Sequence, residues 1–359
     1  MDVSRDAVYE ALGRVIDPEL RKPVTELGMV RDVRIDGGDV VVTIALTVAG
    51  CPLRDSFQQQ VGEALAPIEG VRRVGLEFDV MSPDERAALT ERLRGGVTAR
   101  TQGLSLDRAT RVVAVASGKG GVGKSTLSIN LAAAFSSLGQ STGILDADVY
   151  GHSIPHMLGI QQRPVAVDKM IVPPVAHGLK LMSIGFFLDE NAPVMWRGPM
   201  LHRALEQFLS DVHWGDLDML VVDMPPGTGD VSISLGQLLP RAEVVVVTTP
   251  QPAAKEVAVR AAVMAQKTNM RLIGAVENMS GDVFGRGGGA ALAEELGIPL
   301  LGEIPLDPRL REQGDLGIPL VLADPDAPTA QAIVALAEAI TATRRDQGIG
   351  IVKSLPLVS

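Results

Sequence analysis

The 359-residue chain has one cysteine, Cys51, so it can form neither an intramolecular disulfide nor a cysteine-rich zinc site. That scarcity fits a reducing compartment. Positive charge is also short: 33 Lys and Arg against 43 Asp and Glu leave a net charge of −10, which argues against general nucleic-acid coating. No apolar run reaches the ~18 residues of a spanning helix, and residues 1–14 lack the basic-then-apolar order of a secretory signal. These absences set the expectation of a cytoplasmic protein with no membrane and no nucleic-acid partner. What is present is a chain of 46% hydrophobic and 21% charged residues, able to bury a sizeable core. At roughly 150 residues per domain, its length suits two domains.

The pattern divides accordingly. Residues 1–93 read as a small α/β domain. Val3 to Ile16 has helical spacing; Met29–Ile35 and Asp39–Val48 are extended runs joined by Gly37-Gly38, a two-residue hairpin signal. Val40, Val42, Ile44, Leu46 and Val48 alternate with their neighbours at the period of a strand. A helix over Asp55–Ala66 and a strand over Arg72–Val80 complete the unit. Residues 94–108 are rich in Gly, Thr and Ser and read as a linker. In residues 109–345, continuous apolar runs at 112–116, 142–146, 218–223, 243–248 and 272–276 alternate with helical segments. Strands apolar on both faces and separated by helices imply α/β architecture with a mostly parallel sheet covered on both sides. Thr126–Leu138 carries the matching helical stripe of Leu127, Leu131, Phe135 and Leu138, and residues 346–359 read as a loose tail.

Gly118, Lys119, Gly120, Gly121, Val122, Gly123, Lys124 and Ser125 match the whole phosphate-loop pattern GxxxxGK[ST], between an apolar strand and a helix that takes in Thr126. Glycines there let backbone N–H groups converge on phosphate oxygens. Lys124 neutralises the terminal phosphates, and the Ser125 hydroxyl is placed to ligate Mg²⁺. The expected ligand is a nucleoside triphosphate, ATP. Asp146 and Asp148 end one apolar run and Asp223 ends another, at the strand edge where open α/β sheets bind ligands. Strand-end aspartates also cap helices; beside a phosphate loop, the expected role is Mg²⁺ for Asp146 and Asp223 and the attacking water for Asp148. A second lysine in the loop, Lys119, resembles that of the deviant-Walker ATPases: the Min, Par, nitrogenase-reductase and arsenite-pump proteins. The resemblance implies a homodimer in which Lys119 reaches the partner's nucleotide, as an arginine finger would. Asn278 resembles the asparagine that contacts adenine in that class; a turn-forming asparagine is the competing reading.

Residues 145–159, 194–209, 223–235, 248–251 and 276–280 together resemble the Mrp/NBP family of P-loop ATPases, known as iron–sulfur cluster carriers. Asp17-Pro18-Glu19, Glu26-Leu27-Gly28 and Gly50-Cys51-Pro52-Leu53 resemble the PaaD/SufT-type domain that often precedes the ATPase in bacterial members. The resemblance implies a slow ATPase that binds iron–sulfur clusters and transfers them to apoproteins as a nucleotide-switched homodimer. The sequence departs from the family at one place. A Cys-x-x-Cys usually follows the Glu277–Ser280 segment and shares a [4Fe–4S] cluster between two subunits. Here Gly281-Asp282-Val283-Phe284-Gly285 follows instead, so a four-thiolate cluster at that place is excluded.

Cys51 is then the one thiolate the chain can offer. It stands between a strand and a helix, where the helix N-terminus would favour the thiolate. It reads equally as a small buried apolar residue. A cluster-free, ATP-gated adaptor of iron–sulfur maturation and a Min/Par-like positioning ATPase are therefore the alternative functions.

Overall fold

The computed structural model describes residues 3–47, 54–94, 106–107, 109–149, 151–187 and 198–343. Cys51, most of the segment between the domains and the C-terminal tail lie outside the described residues. The chain separates into two compact units.

The first unit opens with helix α1 (Arg5–Leu12). The Ser4 hydroxyl accepts from the Ala7 N–H and starts this helix; Gly13 ends it. The expected helix to Ile16 is therefore cut short, and Val15 enters the core from the turn that follows. Strands β1 (Val30–Asp36) and β2 (Asp39–Leu46) form the antiparallel hairpin across Gly37-Gly38, both with positive φ. Helix α2 (Arg54–Leu65) crosses over to β3 (Arg73–Val80), which pairs parallel to β2. Val40, Val42 and Ile44 turn into a core with Phe57, Val61 and Leu65, as the period-2 pattern requires. Helix α3 (Pro83–Arg94) is charged on most of its surface and buries Leu89 and Thr90.

In the second unit, β4 (Arg111–Ser117) leads through a glycine-rich turn into α4 (Lys124–Ser137), then β5 (Thr142–Asp146) and the single turn α5 (Ile154–Met157). The helix begins at Lys124, two residues before the expected Thr126. Its burial extends well beyond the Leu127–Leu131–Phe135 stripe to Ser128, Ile129 and Asn130, while Leu138 sits past its end, 40% exposed. Residues 162–175 then belong to the first unit. They form the hairpin β6 (Val165–Val167) and β7 (Met170–Val172), whose Val167, Met170 and Val172 join that unit's core. The Thr90 hydroxyl donates to the Val167 carbonyl. Residues 207–215, which include the end of α6 (Gly198–Ser210), also belong there, with the Trp214 indole donating to the Phe208 carbonyl.

The second unit's remaining elements are β8 (Val175–Ala176), β9 (Leu179–Ser183), β10 (Met219–Asp223), α7 (Asp230–Leu238), β11 (Glu243–Thr248), α8 (Pro252–Lys267), β12 (Arg271–Ser280), α9 (Gly288–Leu296), β13 (Leu300–Pro305), α10 (Pro308–Asp315), α11 (Leu320–Ala323) and α12 (Pro328–Ala342). Eight strands form one sheet in the order β13-β12-β11-β4-β10-β5-β9-β8, and the six pairings from β13 through β9 are parallel. Val113, Val115, Val221, Val245 and Val247 share a core with Leu127, Leu131, Ile333 and Leu336 of α4 and α12. The alternate residues Ala114, Leu220, Val222, Val244 and Val246 are also buried, on the opposite face, so both sheet faces are covered. At the strand starts, Glu243 is buried between Arg111 and Arg271, and Arg111 also donates to the Thr341 carbonyl at the end of α12.

Candidate functional site

The site lies at the C-terminal edge of the parallel strands, where β4, β5, β10 and β12 each deliver residues. The loop from Gly118 to Gly123 turns sharply: Gly121 and Gly123 have φ of 80° and 77°, the left-handed region that side chains avoid. A Cβ on Gly118 would fall 2.1 Å from the Val257 backbone carbon of α8, and one on Gly123 would fall 2.4 Å from Asn278 Nδ2. Gly120 and Gly121 face open space, the side left for a ligand. Lys119 is exposed on this loop, and its carbonyl accepts from the Ser117 hydroxyl.

Behind the loop is a buried ionic cluster. Asp223 and Asp146 are register partners on β10 and β5. Asp223 Oδ2 accepts from Lys124 Nζ and from Ser125 Oγ, each at 2.7 Å. Its Oδ1 accepts from Ser128 Oγ at 2.6 Å. Lys124 Nζ is also 3.7 Å from Asp148 Oδ2. Asp146 accepts from the Ser183 hydroxyl at 2.8 Å and from the Asp148 N–H at 3.2 Å. Burial, and then the neighbouring Asp223 charge, raise the Asp146 pKa well above the ordinary carboxylate range. The glycine-rich segment after β10 is tied in as well, because the Gly227 N–H donates to the Ser117 carbonyl at 2.8 Å. Ser125 and Asp223 present hard oxygen donors side by side, a set suited to Mg²⁺ held through few protein ligands.

Beside Gly123 and Thr126 opens a cavity of about 620 Å³, lined also by Asn278, Met279, Pro305, Leu306 and Leu310. That volume and mostly apolar wall suit a nucleoside. Asn278 stands within β12 rather than in a turn. Its amide donates to the Val122 carbonyl at 2.9 Å, which fixes the side chain between the loop and the cavity.

The structure thus brings together Gly118 to Thr126, Asp146, Asp148, Asp223 and Asn278, while Cys51 lies outside the described residues. Three side chains at the site are not singled out by sequence. Ser128 lies beyond the end of the phosphate-loop pattern, and Ser183 stands on β9, whose apolar run is short. Glu277, fully buried, accepts from the Ser280 hydroxyl at 2.7 Å and from the N–H groups of Gly287 and Gly289 at 3.3 and 2.6 Å. An acid ending an otherwise apolar run was the available signal for Glu277. It secures the segment in which the resembling family carries its cysteines. Here Gly281 and Gly285 exchange backbone hydrogen bonds at 2.9 and 2.7 Å, closing a tight loop with Val283 72% exposed at its tip.

The family described as NUBPL iron-transfer P-loop NTPase matches residues 108–341, and an iron–sulfur cluster assembly protein family matches residues 5–76. The chain belongs to the iron-transfer P-loop NTPase family. Members include proteins named iron-sulfur cluster carrier protein: one from Mycobacterium leprae is 50% identical, across 95% of this chain and 94% of the relative. One from Synechocystis is 41% identical across 94% of this chain and 97% of the relative. Among solved structures, a nucleotide-binding protein of Archaeoglobus fulgidus in complex with ADP is 37% identical, with TM-score 0.51, covering 58% of this chain and 86% of its own. The cell-division ATPase MinD of Pyrococcus furiosus, 22% identical with TM-score 0.51 over 64% of this chain and 98% of its own, shares the fold. Among the described residues, no helix is long and apolar enough to cross a membrane.

Proposed function

We propose that this protein binds and hydrolyses ATP with Mg²⁺ and carries an iron–sulfur cluster to recipient apoproteins. The observation that carries the reading is an intact phosphate site on a chain of which cluster-carrier relatives match about 95%. The loop N–H groups and Lys124 hold the phosphates, and Asn278 holds the base in the adjoining cavity. Ser125 and Asp223 hold Mg²⁺, directly or through water, with Asp146 behind them. When bound, the cation neutralises charge that builds on the phosphates during transfer. Asp148 orients the attacking water. Lys124 must leave Asp223 to reach a phosphate, so binding exchanges one anionic partner for another. Lys119, exposed on the loop, reaches the nucleotide of a second copy, and the working unit is a homodimer in the cytoplasm. The cluster is cargo, and Cys51 from each of two copies supplies two of its ligands, the recipient or small thiols the others.

A second reading, the cluster-free adaptor, draws support from the closed Gly281–Gly285 loop, which offers no thiol where the resembling family has two. Anaerobic reconstitution with iron and sulfide separates the two. Iron counting and absorption spectra should show a cluster on wild type and none on Cys51→Ala, with ATP hydrolysis equal in both. A wild type that holds no iron gives the adaptor reading its place.

A further inference from the structure

Asp223 is fully buried, and each of its oxygens has its own donors. Those on Oδ2, Lys124 Nζ and Ser125 Oγ, are groups that engage a phosphate and a cation when the site fills. The donor on Oδ1 is of a different kind. Ser128 stands one helical turn after Lys124 on α4, is itself fully buried, and does not line the cavity beside Gly123 and Thr126. Its hydroxyl has two acceptors in reach, the Lys124 carbonyl at 3.0 Å and Asp223 Oδ1 at 2.6 Å, and only one proton to give. The shorter, charge-assisted bond to the carboxylate is the stronger. Serine in a buried helix interior is otherwise a poor choice: alanine forms helix better and hides no hydroxyl. The Lys124 carbonyl would satisfy the hydroxyl within the helix, yet the closer acceptor is Asp223.

We infer that Ser128 is a positioning residue that pins Asp223 Oδ1, so that Oδ2 stays aimed at Ser125 and the cation after Lys124 has moved to the phosphates. The inference rests on the ATP and Mg²⁺ reading above. In the empty site Lys124 orients the carboxylate as well; once it leaves, Ser128 is the donor whose acceptor does not change. Without the hydroxyl, the carboxylate can turn about its Cβ–Cγ bond and meet the cation in a poorer orientation.

The test is titration of the full-length protein with ATP by calorimetry, over a series of Mg²⁺ concentrations and in EDTA. Ser128→Ala should raise the Mg²⁺ needed for half-maximal tightening of ATP binding by about tenfold, the scale of one hydrogen bond to a charged group. ATP affinity in EDTA should change less than about twofold, because Ser128 is fully buried and does not line the nucleoside cavity. Ser128→Thr, which keeps the hydroxyl, should restore the wild-type Mg²⁺ requirement. A purely structural role would lower the melting temperature of Ser128→Ala and leave its Mg²⁺ requirement at the wild-type value, and that result overturns the inference. Should the alanine variant fail to fold, Ser128→Cys, nearly isosteric with a weak donor, takes its place: an intermediate shift supports the inference and no shift overturns it. If wild type itself shows no Mg²⁺-dependent tightening, the ATP and Mg²⁺ reading fails, and the inference with it.

Discussion

The two lysines of the phosphate loop have opposite environments, and this separates their expected roles. Lys124 is 6% exposed and bonded to Asp223; Lys119 is exposed on the same loop. Lys124→Ala should abolish hydrolysis and weaken ATP binding. Lys119→Ala should leave ATP binding within about twofold and slow hydrolysis by at least tenfold, on the scale of a lost transition-state charge. Steady-state turnover beside equilibrium binding checks both, and wild-type turnover in Lys119→Ala would remove the cross-subunit role. Both lysines were legible in sequence because the phosphate loop is local: eight consecutive residues state its geometry. Ser128 was not, because its partner Asp223 lies 95 residues further on and a helix pattern records only neighbours. Asn278 was half legible: the sequence left it between a turn and a ligand contact, and the Val122 carbonyl decides for a fixed side chain in a strand.

Among the elements, the apolar runs ending in Asp146 and Asp223 were readable as buried parallel strands, since a strand covered on both faces has no polar side. β13 was not, because Gly302, Glu303 and Pro305 interrupt its run, and α3 carries too few apolar residues to show a stripe. The junction of β12 and α9 owes its form to one side chain. Glu277 gathers the Ser280 hydroxyl and two N–H groups at and just before the start of α9, where a carboxylate also meets the positive end of the helix. Glu277→Ala strands two buried donors, the Ser280 hydroxyl and the Gly289 N–H, and should cost about 1–3 kcal/mol. Hydrogen exchange at residues 281–289 should accelerate in that variant while the central strands keep their protection; unchanged exchange there would show that the loop closes without Glu277.

For the molecule as a whole, pH acts on the first unit through Glu19, whose pKa burial, followed by the charge of Asp17, raises from 4.5 to about 7. Between those values the folded chain keeps a proton that the unfolded chain has released. The resulting stability is complete below about 4.5 and is lost as pH rises toward 7. Partial exposure reduces the effect to roughly 1–2 kcal/mol. Urea unfolding should therefore show the first unit more stable at pH 5 than at pH 8, and Glu19→Gln should flatten that slope; an equal slope in the variant would relieve Glu19 of the role. No local pattern in the sequence announced that this unit also takes in residues 162–175 and 207–215, because hydrophobic periodicity does not say which core a hairpin joins. Synthesis feels the consequence. An emerging chain can fold β1 to β3 early, yet Val167, Met170 and Val172 are still to come, and residues 207–215 come later still. The N-terminal unit therefore cannot be completed until the ribosome has passed Gly215, by which time the phosphate loop is already outside. The unit that begins first is completed only after the second has begun to emerge.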